Sequence, residues 1–222
     1  MKLDHMSAIP IINVEVVSDV VCPWCYIGKR RLQKAVDATG SRFDFNVTYL
    51  PFELNTQLPD EGVDYKAYLS EKFGGEEQFD LQTSRVSEIA RQEGLIFDHA
   101  IQKVSPNTLR LHALIQATPD QATQSQVVEG FFKAFFTDGT DLSREANIIA
   151  VALAAGMDEV TIEKTLHDRE MLKRVRQQEH DIYAMGIHSV PFYIINREFG
   201  ISGAQTTENF IRAFEEAMRT RA

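Results

Sequence analysis

Apolar and polar side chains alternate along INVEVVSDV, residues 12–20, where β-branched types also abound, and this predicts a strand. A helix is predicted directly after it. Pro23 suits a first helical position, Ile27, Leu32, Ala35 and Val36 recur at helical spacing, and Gly40 supplies a C-terminal stop. FDFNVTYL, residues 43–50, alternates again and predicts a second strand. Strand, helix and strand at this spacing form a βαβ unit with parallel strands and a right-handed crossover. Beyond PFELN, residues 51–55, the pattern changes: from about Val63 to Met185 helical periods follow one another with no strand among them. Within this block Ser105 reads as an N-cap before a helical Pro106. SREANIIAVALAAG, residues 143–156, starts on Ser143 and stops at Gly156, and VVEGFFKAFFTDG, residues 127–139, carries a dense apolar stripe. Strand patterns return in PFYIIN (191–196) and EFGISG (198–203), separated by a short polar turn, and Thr206 caps a last helix. The predicted order is β-α-β, a long helical block, then β-β-α.

Composition narrows the function classes. With 222 residues and 44% hydrophobic content, the chain can bury a core without a covalent staple. Its net charge of -9 argues against a nucleic-acid surface, which concentrates Lys and Arg. No apolar run approaches the ~20 residues of a membrane span. The first residues, MKLDHMSAIPIINVEVV, lack the basic start, apolar run and small-residue cleavage site of an export signal, so a cytoplasmic location with reduced thiols is expected.

The chemistry concentrates in SDVVCPWCYIGKRRL, residues 18–32, which holds both cysteines. Cys22 and Cys25 stand three positions apart at a helix start, where Cβ atoms lie roughly 5–6 Å apart. That is within reach of a disulfide once the first turn adjusts. At the helix N-terminus, unpaired N–H groups and the macrodipole favour a thiolate on Cys22. Cys25, one turn inside, is the expected buried partner that resolves a mixed disulfide. Lys29 and Arg30 lie about 10 Å further along the axis and are expected on a solvated face. A zinc site needs about four ligands. No third cysteine exists, and His5, His99, His112, His167, His180 and His188 include no His-x3-His pair. A Cys-x-x-Cys beside a βαβ pattern instead marks a redox dithiol.

SDVVCPWCYIGKRRL, PFELN, NTLRLHALI, VPFYIIN and SGAQ, in this order and at these distances, resemble the FrnE-like branch of the DsbA family of thiol–disulfide oxidoreductases. The resemblance runs from about Asn13 to Arg219. It implies an α/β thioredoxin fold, with a mixed four-stranded sheet and a large all-helical insertion domain. The expected parts are a first thioredoxin-like segment at 12–58, a helical insertion at 59–186, and a second thioredoxin-like segment at 187–222. The resemblance further implies that Pro191 is cis and faces the dithiol, so that the Val190 backbone can pair with an extended substrate. Neither cofactor nor metal is implied; the expected partners are protein or small-molecule disulfides and thiols, glutathione included.

The other candidate positions have two readings each. Asp19 orients the backbone before Cys22 or relays a proton, or else makes a strand-end turn contact. Asn107 caps a helix or lines the cleft. His112 stabilises a thiolate or is a hydrogen-bonded core histidine. His188 supports the site from three residues before Pro191 or stands apart from it. Phe131, Phe132, Phe135 and Phe136 build a helical core, some of them lining an apolar groove. Trp24, between the cysteines, is expected to be exposed as a substrate platform. Two other function classes stay open: a glutathione-dependent transferase or isomerase of the kappa and chromene-carboxylate isomerase type, whose members carry serine at the place of Cys22, and a redox-silent module that binds exposed apolar segments.

Overall fold

The computed structural model describes residues 9–219; the first eight residues, part of the segment read for an export signal, lie outside them. The chain runs β1 (Ile11–Ser18), α1 (Pro23–Thr39) and β2 (Asp44–Pro51), as the alternating patterns predict. Then follow β3 (Val63–Asp64), α2 (Tyr65–Phe73), α3 (Glu76–Gln92), β4 (Val104–Ser105) and α4 (Leu109–Gln116). The helical series continues with α5 (Gln121–Phe136), α6 (Glu145–Ala154), α7 (Glu159–His167) and α8 (Arg169–Ala184). The chain closes with β5 (Phe192–Ile195), β6 (Phe199–Ser202) and α9 (Thr207–Arg219).

The four main strands form one mixed sheet in the order β2-β1-β5-β6. β1 runs parallel to β2 from Ile11↔Asp44 to Ser18↔Pro51, and antiparallel to β5 from Val14↔Ile195 to Val17↔Phe192. Ile12, Val14 and Val16 alternate on one buried face of β1 and share a core with Ile27, Leu32 and Ala35 of α1 and with Phe210 and Phe214 of α9. Each of these buried side chains larger than Ala35 contributes about 1.5–3 kcal/mol relative to exposure. A second core cluster joins Val17, Phe52, Ile182, Ile187 and Ile194, so α8 and the segment after β2 are tied to the sheet. The turn between β5 and β6 places Asn196 and Arg197 at φ 52° and 59°, and the Asn196 side chain accepts from Asn13 N at 3.0 Å.

The block between β2 and β5 is helical with one exception. Val63–Asp64 pairs antiparallel with Val104–Ser105, a two-residue ladder absent from the helical reading. The ladder holds Ser105 extended, so it caps no helix, and Pro106 is not helical; α4 begins at Leu109. The N-cap is Thr108, with no capping bond from its side chain; one residue earlier, Asn107 Oδ1 accepts from Leu109 N at 3.0 Å while its Nδ2 donates to the Leu58 carbonyl at 2.8 Å. Gly62 lets this ladder close: at φ 73° a Cβ would lie 2.5 Å from Val104 Cγ1. Ser143 likewise does not start α6. Its hydroxyl turns back to Asp141 Oδ1 at 2.6 Å, and the helix begins at Glu145.

Candidate active site

The β1–α1 turn presents the dithiol. Cys22 is the N-cap of α1 in extended backbone, with φ -92° and ψ 113°. Its N–H donates to the Asp19 carbonyl at 3.0 Å, and its own carbonyl accepts from Cys25 N at 3.0 Å. Both thiols are free. Cys22 is 4% exposed and Cys25 2%, whereas Trp24 is 39% exposed. Burial pushes the Cys25 thiol well above its ordinary pKa, and the neighbouring Cys22 pushes it in the same direction. Both influences favour the protonated form of the Cys25 thiol.

β5 closes the site from the other side. The Val190–Pro191 peptide is cis, and Cys22 Sγ lies 3.9 Å from the Val190 carbonyl. The helix approaches this strand through Gly28, where a Cβ would lie 2.1 Å from Tyr193 Oη and 3.4 Å from Pro191 Cγ. A side chain at position 28 would force the buried Tyr193 ring or α1 itself to shift.

Behind the turn sits a cluster of buried ionisable groups from four segments. Asp19, 1% exposed, accepts from Leu54 N at 2.7 Å through Oδ2 and from Val21 N at 3.5 Å through Oδ1. His112 of α4, 2% exposed, places Nε2 3.4 Å from Asp19 Oδ1. Glu179 of α8 accepts from the Glu53 backbone N–H at 2.6 Å. The Glu53 carboxyl, in a residue 2% exposed, has no hydrogen-bond partner for either oxygen. Burial alone would lower the His112 pKa, but Asp19, Glu179 and Glu53 together hold it above its ordinary value. Burial and the Glu179 charge raise Glu53 to about 7. His112 is thus both a core histidine and a neighbour of the dithiol turn, reaching it through Asp19.

The outer face of α1 departs from expectation. Lys29 is 8% exposed and donates to Glu129 Oε2 of α5 at 2.7 Å, while Arg30 reaches Oε1 at 2.6 Å. Tyr26 Oη also donates to Oε1 at 2.7 Å, and its ring stacks on Phe132 at 4.7 Å. These side chains fasten the helix to the roof rather than forming a solvated face, because α5 brings a carboxylate to them. His188 is exposed against the Tyr183 ring at 5.6 Å and does not line the cavity beside the dithiol.

That cavity, of about 450 Å³, runs from Cys22, Trp24 and Val190 to the helical roof, where Tyr65, His99, Phe135 and Phe136 line it. Phe131 and Phe132 stay in the core, fully buried. Glu53, Glu129, Glu179, Tyr65 and His99 were not singled out from sequence. A signal existed for Glu179, which shares a buried stripe of α8 with Val175 and Ile182. Glu53 lies inside the PFELN segment.

A thioredoxin-type sheet, a Cys-Pro-Trp-Cys helix start and a cis-proline strand facing the first thiol define the class of dithiol proteins with a helical roof. The sequence model of the DSBA-like thioredoxin domain matches residues 13–215, and the chain belongs to that family. A probable DsbA oxidoreductase from Streptomyces coelicolor is 28% identical, with a TM-score of 0.87 over 95% of this chain and 92% of its own. The cytosolic disulfide reductase DsbM from Pseudomonas aeruginosa, solved with glutathione, shares the fold at 14% identity and a TM-score of 0.67, over 93% of this chain and 99% of its own. The uncharacterized protein YwbO of Bacillus subtilis is 24% identical over 94% of this chain and 98% of its own length.

Proposed function

We propose that this chain is a thiol–disulfide oxidoreductase that works as a reductase or isomerase through Cys22 and Cys25. One observation carries this reading: Cys22 caps α1 with its Sγ 3.9 Å from the Val190 carbonyl, at the wall of an open cavity. A disulfide entering there meets a nucleophile, an exposed aromatic platform in Trp24 and a strand-end carbonyl at Val190 that can pair with an extended substrate. Cys22 attacks one sulfur of the incoming disulfide, and the other sulfur leaves as a thiolate. Cys25 then loses its proton, attacks Cys22 Sγ and releases the substrate's second sulfur. The dithiol gives up two electrons, and a thiol such as glutathione returns them. Asp19 and Asn107 position the backbone around the site, and His112 acts on it through Asp19. A strong oxidant requires an unusually stabilised reduced form. The Cys22 thiol faces a carbonyl, and Trp24 brings no charge, which supports a reducing role.

In an insulin-reduction assay driven by dithiothreitol, the wild type should accelerate precipitation and Cys22→Ser should not. Cys25→Ser should accumulate mixed disulfides visible by mass spectrometry. Preferential alkylation of Cys25 over Cys22 in the native reduced protein would reverse the assignment of roles. Equilibration with glutathione buffers should give a potential of about -200 mV or lower, and a value near about -120 mV would make the protein an oxidant.

A further inference from the structure

The cavity beside Cys22 carries more information than an apolar groove alone would. Its lining is rich in rings, with Trp24, Tyr65, Tyr68, Phe73, Phe135 and Phe136 all contributing. It also holds two full cations, Lys72 and Arg85, in a chain whose net charge is -9. Both are exposed, and neither has a carboxylate partner among the described residues; the Lys72 ammonium lies 5.8 Å over the Tyr68 ring. The sole carboxylate in the lining is Asp19, whose oxygens are already engaged by Leu54 N, Val21 N and His112. The local charge is therefore opposite to that of the whole molecule. Tyr65 Oη bonds His99 Nδ1 at 2.6 Å, while His99 Nε2 is buried without a partner. Burial lowers the His99 pKa to about 4, so this ring is neutral at pH 7 and adds no charge to the lining.

Access points the same way. Cys22 is 4% exposed, and what it meets is the cavity. A small molecule can enter the cavity, whose roughly 450 Å³ falls in the range of sites that take drug-sized ligands.

Resting on the oxidoreductase reading above, we infer that the substrate of this site is a low-molecular-weight disulfide with an aromatic body and an anionic group, the rings of the cavity stacking on the body and Lys72 and Arg85 holding the anion. The Cys22 thiolate attacks one sulfur, an aromatic thiolate leaves, and the second aryl sulfur stays on Cys22. Cys25 gives its proton to solvent and displaces that second aryl thiolate. Two electrons pass from the dithiol to the ligand, and the protein ends with the Cys22–Cys25 disulfide.

The test uses the full-length reduced protein in stopped flow. The probes are dithionitrobenzoate, an anionic aromatic disulfide; dithiodipyridine, a neutral aromatic one; and oxidised glutathione, anionic but not aromatic. Each rate is divided by that of N-acetylcysteine with the same probe, which removes intrinsic reactivity. Dithionitrobenzoate should give the highest normalised rate. Lys72→Glu with Arg85→Glu should lower the ratio of the dithionitrobenzoate to the dithiodipyridine rate by about tenfold, a steering effect that salt should erode in the wild type. An unchanged ratio would overturn the inference while leaving the dithiol function standing. Oxidised glutathione equalling dithionitrobenzoate would remove the aromatic part of the claim. Insulin reduction falling in the same proportion would show the cations serving an acidic protein instead. Should no probe outpace N-acetylcysteine, the oxidoreductase reading itself fails and this one falls with it.

Discussion

Two polar clusters lie against the dithiol helix and the turn that feeds it, and they resolve the cost of burial differently. Around Glu129, one carboxylate meets Lys29, Arg30 and the Tyr26 hydroxyl, and both of its oxygens have donors. Around Asp19, three carboxyls crowd one imidazole, and the Glu53 carboxyl has no donor at all. The first cluster is closed by ion pairing. The second is closed by retaining a proton, since Glu53 titrates near 7 and stays largely neutral below that. A satisfied cluster fixes geometry at any ordinary pH, whereas a cluster short of donors ties its geometry to protonation.

The largest expected effect comes from removing the hub of the second cluster. Asp19→Ala strips Leu54 N of its acceptor and takes from buried His112 the carboxylate paired with it, so it should cost about 3–5 kcal/mol in urea denaturation. A loss below about 1 kcal/mol would mean that the cluster has little hold on the fold. Next is Glu129→Gln, which leaves the nearly buried Lys29 ammonium facing an amide. Glu129 is partly exposed, so the loss should be smaller, about 1–3 kcal/mol, and constant between pH 5 and 8.

Glu53→Gln should act in the opposite sense. Its folded pKa, about 7, is above the ordinary 4.5, so the folded state holds more protons than the unfolded one between those values. Wild-type stability therefore falls as pH rises from about 4.5 through 7. The neutral amide abolishes that loss: the variant should be about 1–2 kcal/mol more stable than wild type at pH 8 and nearly equal to it at pH 5. Matched denaturation curves at the two pH values check this, and a variant less stable at pH 8 would contradict the neutral-acid account. The smallest effect concerns independence. The clusters share no hydrogen-bond partner, so Glu53→Gln and Glu129→Gln should be additive within about 0.5 kcal/mol. A larger coupling would show that α1 transmits between them.

Period and punctuation made the sheet legible in the sequence, as they did α1 and α9. Strand alternation at 12–20 and 43–50, Pro23 at the helix start and Thr206 before α9 all act locally. The dithiol was legible for the same reason, since two cysteines at i and i+3 need nothing remote to define them. The errors fell where a distant segment overrides local preference. Ser105 looks like a cap, but Val63 pairs with it. Lys29 and Arg30 look solvated, but α5 carries Glu129 to them. The Asp19 cluster draws its members from positions 19, 53, 112 and 179, and only the fold brings them together. Asn107, by contrast, does bond the backbone at the start of α4, because that bond spans two residues, although the N-cap itself is Thr108.

The pairing of β1 with β5 has a consequence for how the chain is made. Val14 and Ile195 are partners in the sheet, yet the entire helical block separates them along the chain. During synthesis β1 and β2 emerge first and can pair, while the other edge of β1 stays open until Phe192–Ile195 leaves the ribosome. For that interval the edge is an apolar, unpaired template of the kind that recruits other chains. The dithiol turn is made with β1, so both thiols exist well before the strand that faces them. A nascent chain of this architecture depends on whatever shields that edge, and a chain that terminates before β5 would carry a reactive cysteine pair beside an open strand.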